Sequence, residues 1–88
     1  MRIYELTPMG YERAKSFYSK AKVIEKDNGD KVLQSYNTEV CKVTNGGEFV
    51  RMWDGYSSTT MRHINSFLKL VGISGGGKAW WDAQPIGQ

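Results

Sequence analysis

Hydrophobic and polar positions alternate through the first half of the chain and then change period. Over residues 16–25, Phe17, Ala21 and Val23 share one parity, while Tyr18, Lys20 and Lys22 share the other. A period of two predicts a half-buried strand. Asn28-Gly29 follows, a pair that tolerates positive φ and marks a hairpin turn. Residues 31–43 form a second, longer run. There Val32, Tyr36, Thr38 and Val40 fall on one parity, and Leu33, Cys41 and Val43 on the other. A strand that changes sides midway needs a β-bulge, expected near Ser35–Thr38. Asn45-Gly46-Gly47 makes a second turn, and 48–53 reads as the third strand. Ahead of these, Ile3-Tyr4-Glu5-Leu6 is a short apolar start that Thr7-Pro8 interrupts, because proline restricts the residue before it and cannot donate to a ladder. Residues 11–15 read as a turn or a single helical turn.

The period then lengthens. Met61, Ile64, Phe67, Leu68 and Val71 make one stripe at helical spacing. They predict a helix over 58–71, with Ser57, Ser58 and Thr59 as candidate N-caps and Gly72 placed to close it. Arg62, Asn65, Ser66 and Lys69 fall on the wet side. Ile73-Ser74-Gly75-Gly76-Gly77 is a flexible joint, and 78–84 can form a short helix that Pro85 stops. The fold class expected is α+β: a three-stranded antiparallel β-meander (16–53), an amphipathic helix and a short C-terminal helix, in one domain over 1–88.

Composition narrows the chemistry. A chain of 88 residues has room for one core and a thin stability margin. Its single cysteine, Cys41, forbids an internal disulfide, and one His with one Cys leaves no set for a structural zinc. Neither metal nor cofactor is expected. Oligomerisation is the remaining remedy for a small core, so a homo-oligomer is expected. The lone thiol suits a reducing compartment. No apolar run approaches the ~20 residues that span a bilayer, and the N-terminus lacks the apolar stretch of a signal peptide. The expectation is therefore a cytoplasmic protein with no membrane partner. A net charge of +3 permits an anionic partner without demanding one.

Three stretches could carry function. Gly55-Tyr56-Ser57-Ser58-Thr59-Thr60 puts four hydroxyl residues where a helix begins, and free N–H groups there suit phosphate or carboxylate. Arg62, one turn in, adds charge. The competing reading is ordinary capping, which needs one of the four. Trp80-Trp81 sit side by side on a short helix and point about 100° apart. One is expected to lock the segment down, and the other to meet a ligand or a subunit. An anionic ligand site is thus expected at Tyr56, Ser57, Ser58, Thr59, Thr60, Arg62, Trp80 and Trp81. The alternative is DNA or RNA binding by a basic sheet face bearing Tyr18, Lys20 and Lys22. Against it stands a merely solvated face whose lysines discourage aggregation. Gly75-Gly76-Gly77-Lys78 lacks the spacing of a phosphate-binding loop. His63 has no nucleophile or carboxylate in a catalytic pattern with it, and no acids pair at hydrolase or metal-site spacing. No enzyme is expected.

The blocks Ser35-Tyr36-Asn37-Thr38, Tyr56-Ser57 with Thr59-Thr60, Arg62-His63-Ile64 and Phe67, and Gly77-Lys78 with Trp80-Trp81 resemble a family of small uncharacterised proteins encoded by phages and prophages of gut Firmicutes. The likeness spans roughly 16–85. It implies a mobile-element origin, work inside a host cell and no particular activity. Short phage proteins often counter host defences by binding a host protein, a nucleic acid or a nucleotide signal, so the partner implied is one of these.

Overall fold

A computed structural model describes residues 1–9 and 13–87. Five strands, β1 (Arg2–Glu5), β2 (Ala21–Glu25), β3 (Lys31–Ser35), β4 (Thr38–Val43) and β5 (Phe49–Arg51), form one antiparallel sheet in the order β1-β2-β3-β4-β5. Two helices follow, α1 (Ser58–Val71) and α2 (Lys78–Ala83). The α+β class and both helices are as expected. The strand count is corrected from three to five.

The first correction concerns the N-terminus. Ile3 and Tyr4 pair with Ile24 and Val23, so the short apolar start is an edge strand. Only one edge of β1 is bonded, and Thr7-Pro8 lies just past its end. The second concerns 16–25. Tyr18 and Ser19 have φ of 54° and 63° and sit in a turn closed by Lys20 N–H donating to the Phe17 carbonyl at 3.0 Å. The strand starts only at Ala21. The turn expected at 11–15 lies partly outside the described residues.

The third correction is the long second strand. It is two strands, with Ser35 opposite Thr38 and only Tyr36-Asn37 between them. Tyr36 has φ of 55°, the left-handed value that a tight two-residue hairpin requires at its first loop position. A bulge does exist, three residues further on. Leu33 faces Cys41 while Gln34 faces Glu39, which leaves Val40 as the extra residue of β4. Val40 and Cys41 are therefore both buried, although they are adjacent. The carbonyl of Val40 accepts from Met52 at 2.9 Å and Trp53 at 3.1 Å, and so steers the chain out of β5 toward α1. The Asn28-Gly29 and Asn45-Gly46-Gly47 turns form as expected, with Gly29 at φ 94° and Gly47 at φ 87°. The Asp30 carboxylate ties them together by accepting from Asn45 N–H at 2.9 Å.

The α1 stripe meets one face of this sheet. Met61, Ile64, Phe67 and Leu68 share a core with Leu6, Val23, Leu33, Val40 and Cys41. Each such side chain contributes about 1.5–3 kcal/mol by leaving water. Ser57 caps the helix, its Oγ accepting from Thr60 N–H at 3.0 Å. Gly72, at φ 77°, ends it, and its N–H turns back onto the last carbonyls. Cys41 is buried in this core, and burial pushes its thiol well above the ordinary range. We expect Cys41 to be inert to a disulfide reagent such as DTNB in the native protein and to react fully in denaturant. Rapid native reaction would mean that the sheet–helix contact opens.

Candidate functional site

The loop from Met52 to Ser57 is built around a buried cation. Arg51 ends β5 with its guanidinium turned into the protein. Nε donates to the Trp53 carbonyl at 2.9 Å, and one terminal nitrogen donates to the Trp81 carbonyl at 2.8 Å. Longer contacts reach the carbonyls of Gly55 at 3.4 Å and Gln84 at 3.5 Å. The Trp81 ring lies 4.4 Å below the guanidinium carbon, and Trp81 Nε1–H donates to the Gly55 carbonyl at 2.8 Å. Among the described residues, no carboxylate takes part. Four contacts to backbone carbonyls and one to an aromatic face stand in for the usual ion pair. This cluster fixes α2 against the loop that leads into α1. In the sequence Arg51 was visible only as a polar residue of a strand, and nothing in its spacing distinguished it.

The start of α1 is partly consumed by the fold. Thr60 is buried, and its Oγ1 meets Ser35 Oγ at 3.1 Å. Ser35 Oγ also meets His63 Nδ1 at 2.8 Å. His63 packs on Phe17, with ring centroids 4.6 Å apart, and has a further partner of its own. A serine and a histidine in contact suggest a nucleophile and its base. Both are about 2% exposed, however, so no substrate reaches the pair. It joins β3 to α1.

What stays open is the outer side of the first turn. Ser57 and Ser58 are exposed and Thr59 is half-buried. Among the described residues, nothing accepts from the N–H groups of Ser58 and Thr59. Asp54 is exposed and does not cap the helix, a task Ser57 performs. Tyr56 stands 40% exposed beside this turn, with Lys78 Nζ 5.3 Å from its ring centroid. Lys78 also donates to Asp82 at 2.6 Å, and that hydrogen bond, then the attraction of the same carboxylate, raises its pKa. Arg62 is exposed on α1 and has an interaction partner of its own.

The two tryptophans differ in burial. Trp81 is fully buried and locks α2 down. Trp80 is half-buried against Phe49, centroids 5.0 Å apart, and its indole lies so close over Gly75 that a Cβ there would sit 2.5 Å from it. Of the residues expected at the anion site, the structure keeps Tyr56, Ser57, Ser58, Thr59 and Arg62 at the surface and puts Thr60 and Trp81 inside.

The basic sheet face is not assembled. Tyr18 and Lys20 precede β2, and Lys22 shares its face with Glu5, Gln34 and Glu39. The signs there are mixed. Tyr18 and Tyr36 instead project from two neighbouring turns at one end of the sheet, 75% and 48% exposed. Left-handed backbone costs an L-residue about 1–2 kcal/mol, and every local group is pinned to hold it. Ser16 Oγ accepts from Tyr18 N–H at 2.8 Å, Glu5 from Ser19 N–H at 3.0 Å, and the Lys20 carbonyl from Tyr36 N–H at 2.7 Å.

A depression of about 420 Å³ lies at the other end of α1, lined by Leu68, Lys69 and Gly75 among others, and contains none of the residues expected at the ligand site. Among the described residues no group of three or more His, Cys, Asp or Glu is placed to hold a metal ion, and no helix is long and apolar enough to cross a membrane.

The fold is a five-stranded meander backed by one helix and clamped by a second. The chain belongs to a family of unknown function, DUF8033, whose model matches residues 4–83. No curated protein and no solved structure matches it.

Proposed function

We propose that the chain is a non-catalytic binding protein of phage or prophage origin. It works in the host cytoplasm by holding an anionic group at the start of α1. The ligand is a nucleotide or another phosphate-bearing molecule, or a host defence protein that presents such a group. Origin and setting rest on the resemblance of the Ser35–Thr38, Tyr56–Phe67 and Gly77–Trp81 blocks to phage-encoded proteins. The absence of a disulfide or metal in so small a core makes a homo-oligomer part of the same reading.

The observation that carries the binding site is the pair of open N–H groups at Ser58 and Thr59, beside Tyr56 and Lys78. Ser57 already supplies the cap, so the hydroxyls of Ser58 and Thr59 are left over for a ligand. Helix-start donors and a nearby ammonium favour negative charge. A proline at the first helical position tests this without breaking the helix, because that N–H has no intrahelical partner. Ser57 is extended, with φ −147° and ψ 151°, as a residue before proline must be. Ser58→Pro is expected to fold normally and to weaken binding of inorganic phosphate or a nucleoside monophosphate about tenfold or more, the share of one hydrogen bond to a charged group. Amide shifts of Ser58 and Thr59 on titration read the wild-type site directly. Ligands that move neither amide would remove it.

A further inference from the structure

We propose that Tyr18, Lys20 and Tyr36 form a stacking platform for the unpaired bases of a single-stranded nucleic acid. This is a second surface, built by turns rather than by the α1 start, and it does not depend on the anion-binding reading above.

The argument begins with the backbone. Among the described residues, three that are not glycine have positive φ, Tyr18 at 54°, Ser19 at 63° and Tyr36 at 55°. All three fall in two turns that touch through Tyr36 N–H and the Lys20 carbonyl. A hairpin loop with this geometry is made most easily by Asn or Gly. Folding gains little from the Tyr18 ring, which is 75% exposed, whereas the Tyr36 ring is 48% exposed and has one contact inward, with the buried His63 at 5.9 Å between centroids. Bulky residues in left-handed backbone at an exposed position are a sign of use rather than of packing. The conformation turns each ring off the end of the sheet. Gln34 Nε2 donates to the Tyr36 carbonyl at 3.0 Å, so the second turn is held from both sides.

The chemistry around the rings then selects the partner. Lys20 Nζ lies 5.5 Å from the Tyr36 ring centroid. An ammonium beside an exposed aromatic face suits a base on the ring with its phosphate on the cation. Glu5 accepts from Ser19 N–H at the first turn, and the exposed Glu39 lies opposite Gln34 in the sheet. Ser16, Ser19, Gln34 and Asn37 lie in or next to the two turns. None of the exposed aliphatic side chains, which are Met1, Ile3, Met9, Leu70 and Ile86, belongs to either turn. A protein-binding hot spot would be sealed by a ring of neighbouring contacts that exclude water. Two partly or largely exposed rings in polar turns beside a lysine fit bases better. Duplex DNA offers its base faces to nothing outside the stack, so the single strand is the form recognised.

The test uses the full chain and fluorescence anisotropy with a fluorescein-labelled oligothymidylate of about fifteen nucleotides, a length that fits one small-domain site, alongside a duplex of the same length. Wild-type protein is expected to bind the single strand more tightly than the duplex. Tyr18→Asn with Tyr36→Asn should lower single-strand affinity by roughly five- to hundredfold per ring. The same variant should stay folded, because Asn relieves the left-handed strain and so offsets the lost contact between Tyr36 and His63. Tyr18→Phe with Tyr36→Phe, which keeps the ring faces, should keep the binding. Absence of single-strand binding by the wild type, as for a surface that docks on a protein, overturns the proposal. So does an Asn variant that binds as well as the wild type. Ser58→Pro should leave oligothymidylate binding within about twofold, so failure of either site is seen without the other.

Discussion

Replacing Arg51 with Met is expected to cost about 3–5 kcal/mol and to release α2 from the sheet. The methionine keeps most of the aliphatic stem and removes every donor. The carbonyl of Trp53, which the guanidinium holds at 2.9 Å, is then left without that partner, and the carbonyl of Trp81, held at 2.8 Å, keeps only the Gln84 N–H at 3.1 Å. Each such orphaned group costs roughly 1–3 kcal/mol. The attraction between the guanidinium and the Trp81 ring is lost as well. Relief of the charge's own desolvation offsets part of this, which is why the total stays below the simple sum. Stability in a domain of this length is about 4–13 kcal/mol at the usual 0.05–0.15 kcal/mol per residue, so the loss takes a large share. Urea titration of the variant measures the total. Hydrogen exchange shows where it falls, with protection lost first across Lys78–Ala83. Arg51→Lys is expected to rescue little, since one ammonium cannot reach carbonyls spread around a planar fork. A loss below about 1 kcal/mol for Arg51→Met would show that α2 is held by its ring contacts alone.

Trp81→Ala is expected to be as damaging, at about 3–5 kcal/mol. The indole is fully buried, so its removal leaves a cavity that a six-residue helix has little material to fill. It also removes the Nε1–H bond to the Gly55 carbonyl and the face on which Arg51 rests. The two variants act on one attachment. The double variant Arg51→Met with Trp81→Ala should therefore cost clearly less than the sum of the singles, because α2 can be released only once. Additive losses in the urea titrations would mean that the cation and the ring stabilise separate parts of the structure. Trp81→Phe separates the contributions further. It keeps an aromatic face and loses the N–H, and it should fall between wild type and Trp81→Ala.

Particular residues show what could be read in advance and what could not. The helical stripe from Met61 to Val71, the Ser57 cap and the Gly72 stop each follow from local rules, and α1 forms where those rules put it. The glycine-bearing turns at Asn28-Gly29 and Asn45-Gly46-Gly47 were legible for the same reason. The Tyr36-Asn37 turn was not, because its left-handed position carries an aromatic residue where glycine or asparagine is the usual mark. The parity change beyond it was a real signal, and the Val40 bulge accounts for it. β1 escaped notice because four residues at an edge give too short an alternation to stand out before Pro8. At the α1 start the run of hydroxyls was visible but their division of labour was not. Ser57 caps, Thr60 bonds to Ser35 inside the protein, and Ser58 and Thr59 stay outside. That division depends on where β3 ends relative to α1. Arg51 illustrates the same limit, since its four carbonyl partners come from segments up to 33 residues away.

Each strand of the sheet pairs with its neighbour in sequence, and this arrangement has a kinetic meaning. β2, β3, β4 and β5 are joined by short turns, so these hairpins close over few residues and lose little chain entropy in doing so, while β1 joins across the longer stretch 6–20. Chains rich in such near contacts fold quickly, because no distant segment must be found before contacts begin to repay the ordering of the backbone. The clamp between Arg51 and Trp81 is different in kind. It closes a separation of 30 residues, and its acceptors exist only after β5 and the start of α1 have taken shape. Loop-closure entropy thus orders the events: hairpins first, α1 onto their inner face next, and the tryptophan arm last, as a latch on a sheet already made.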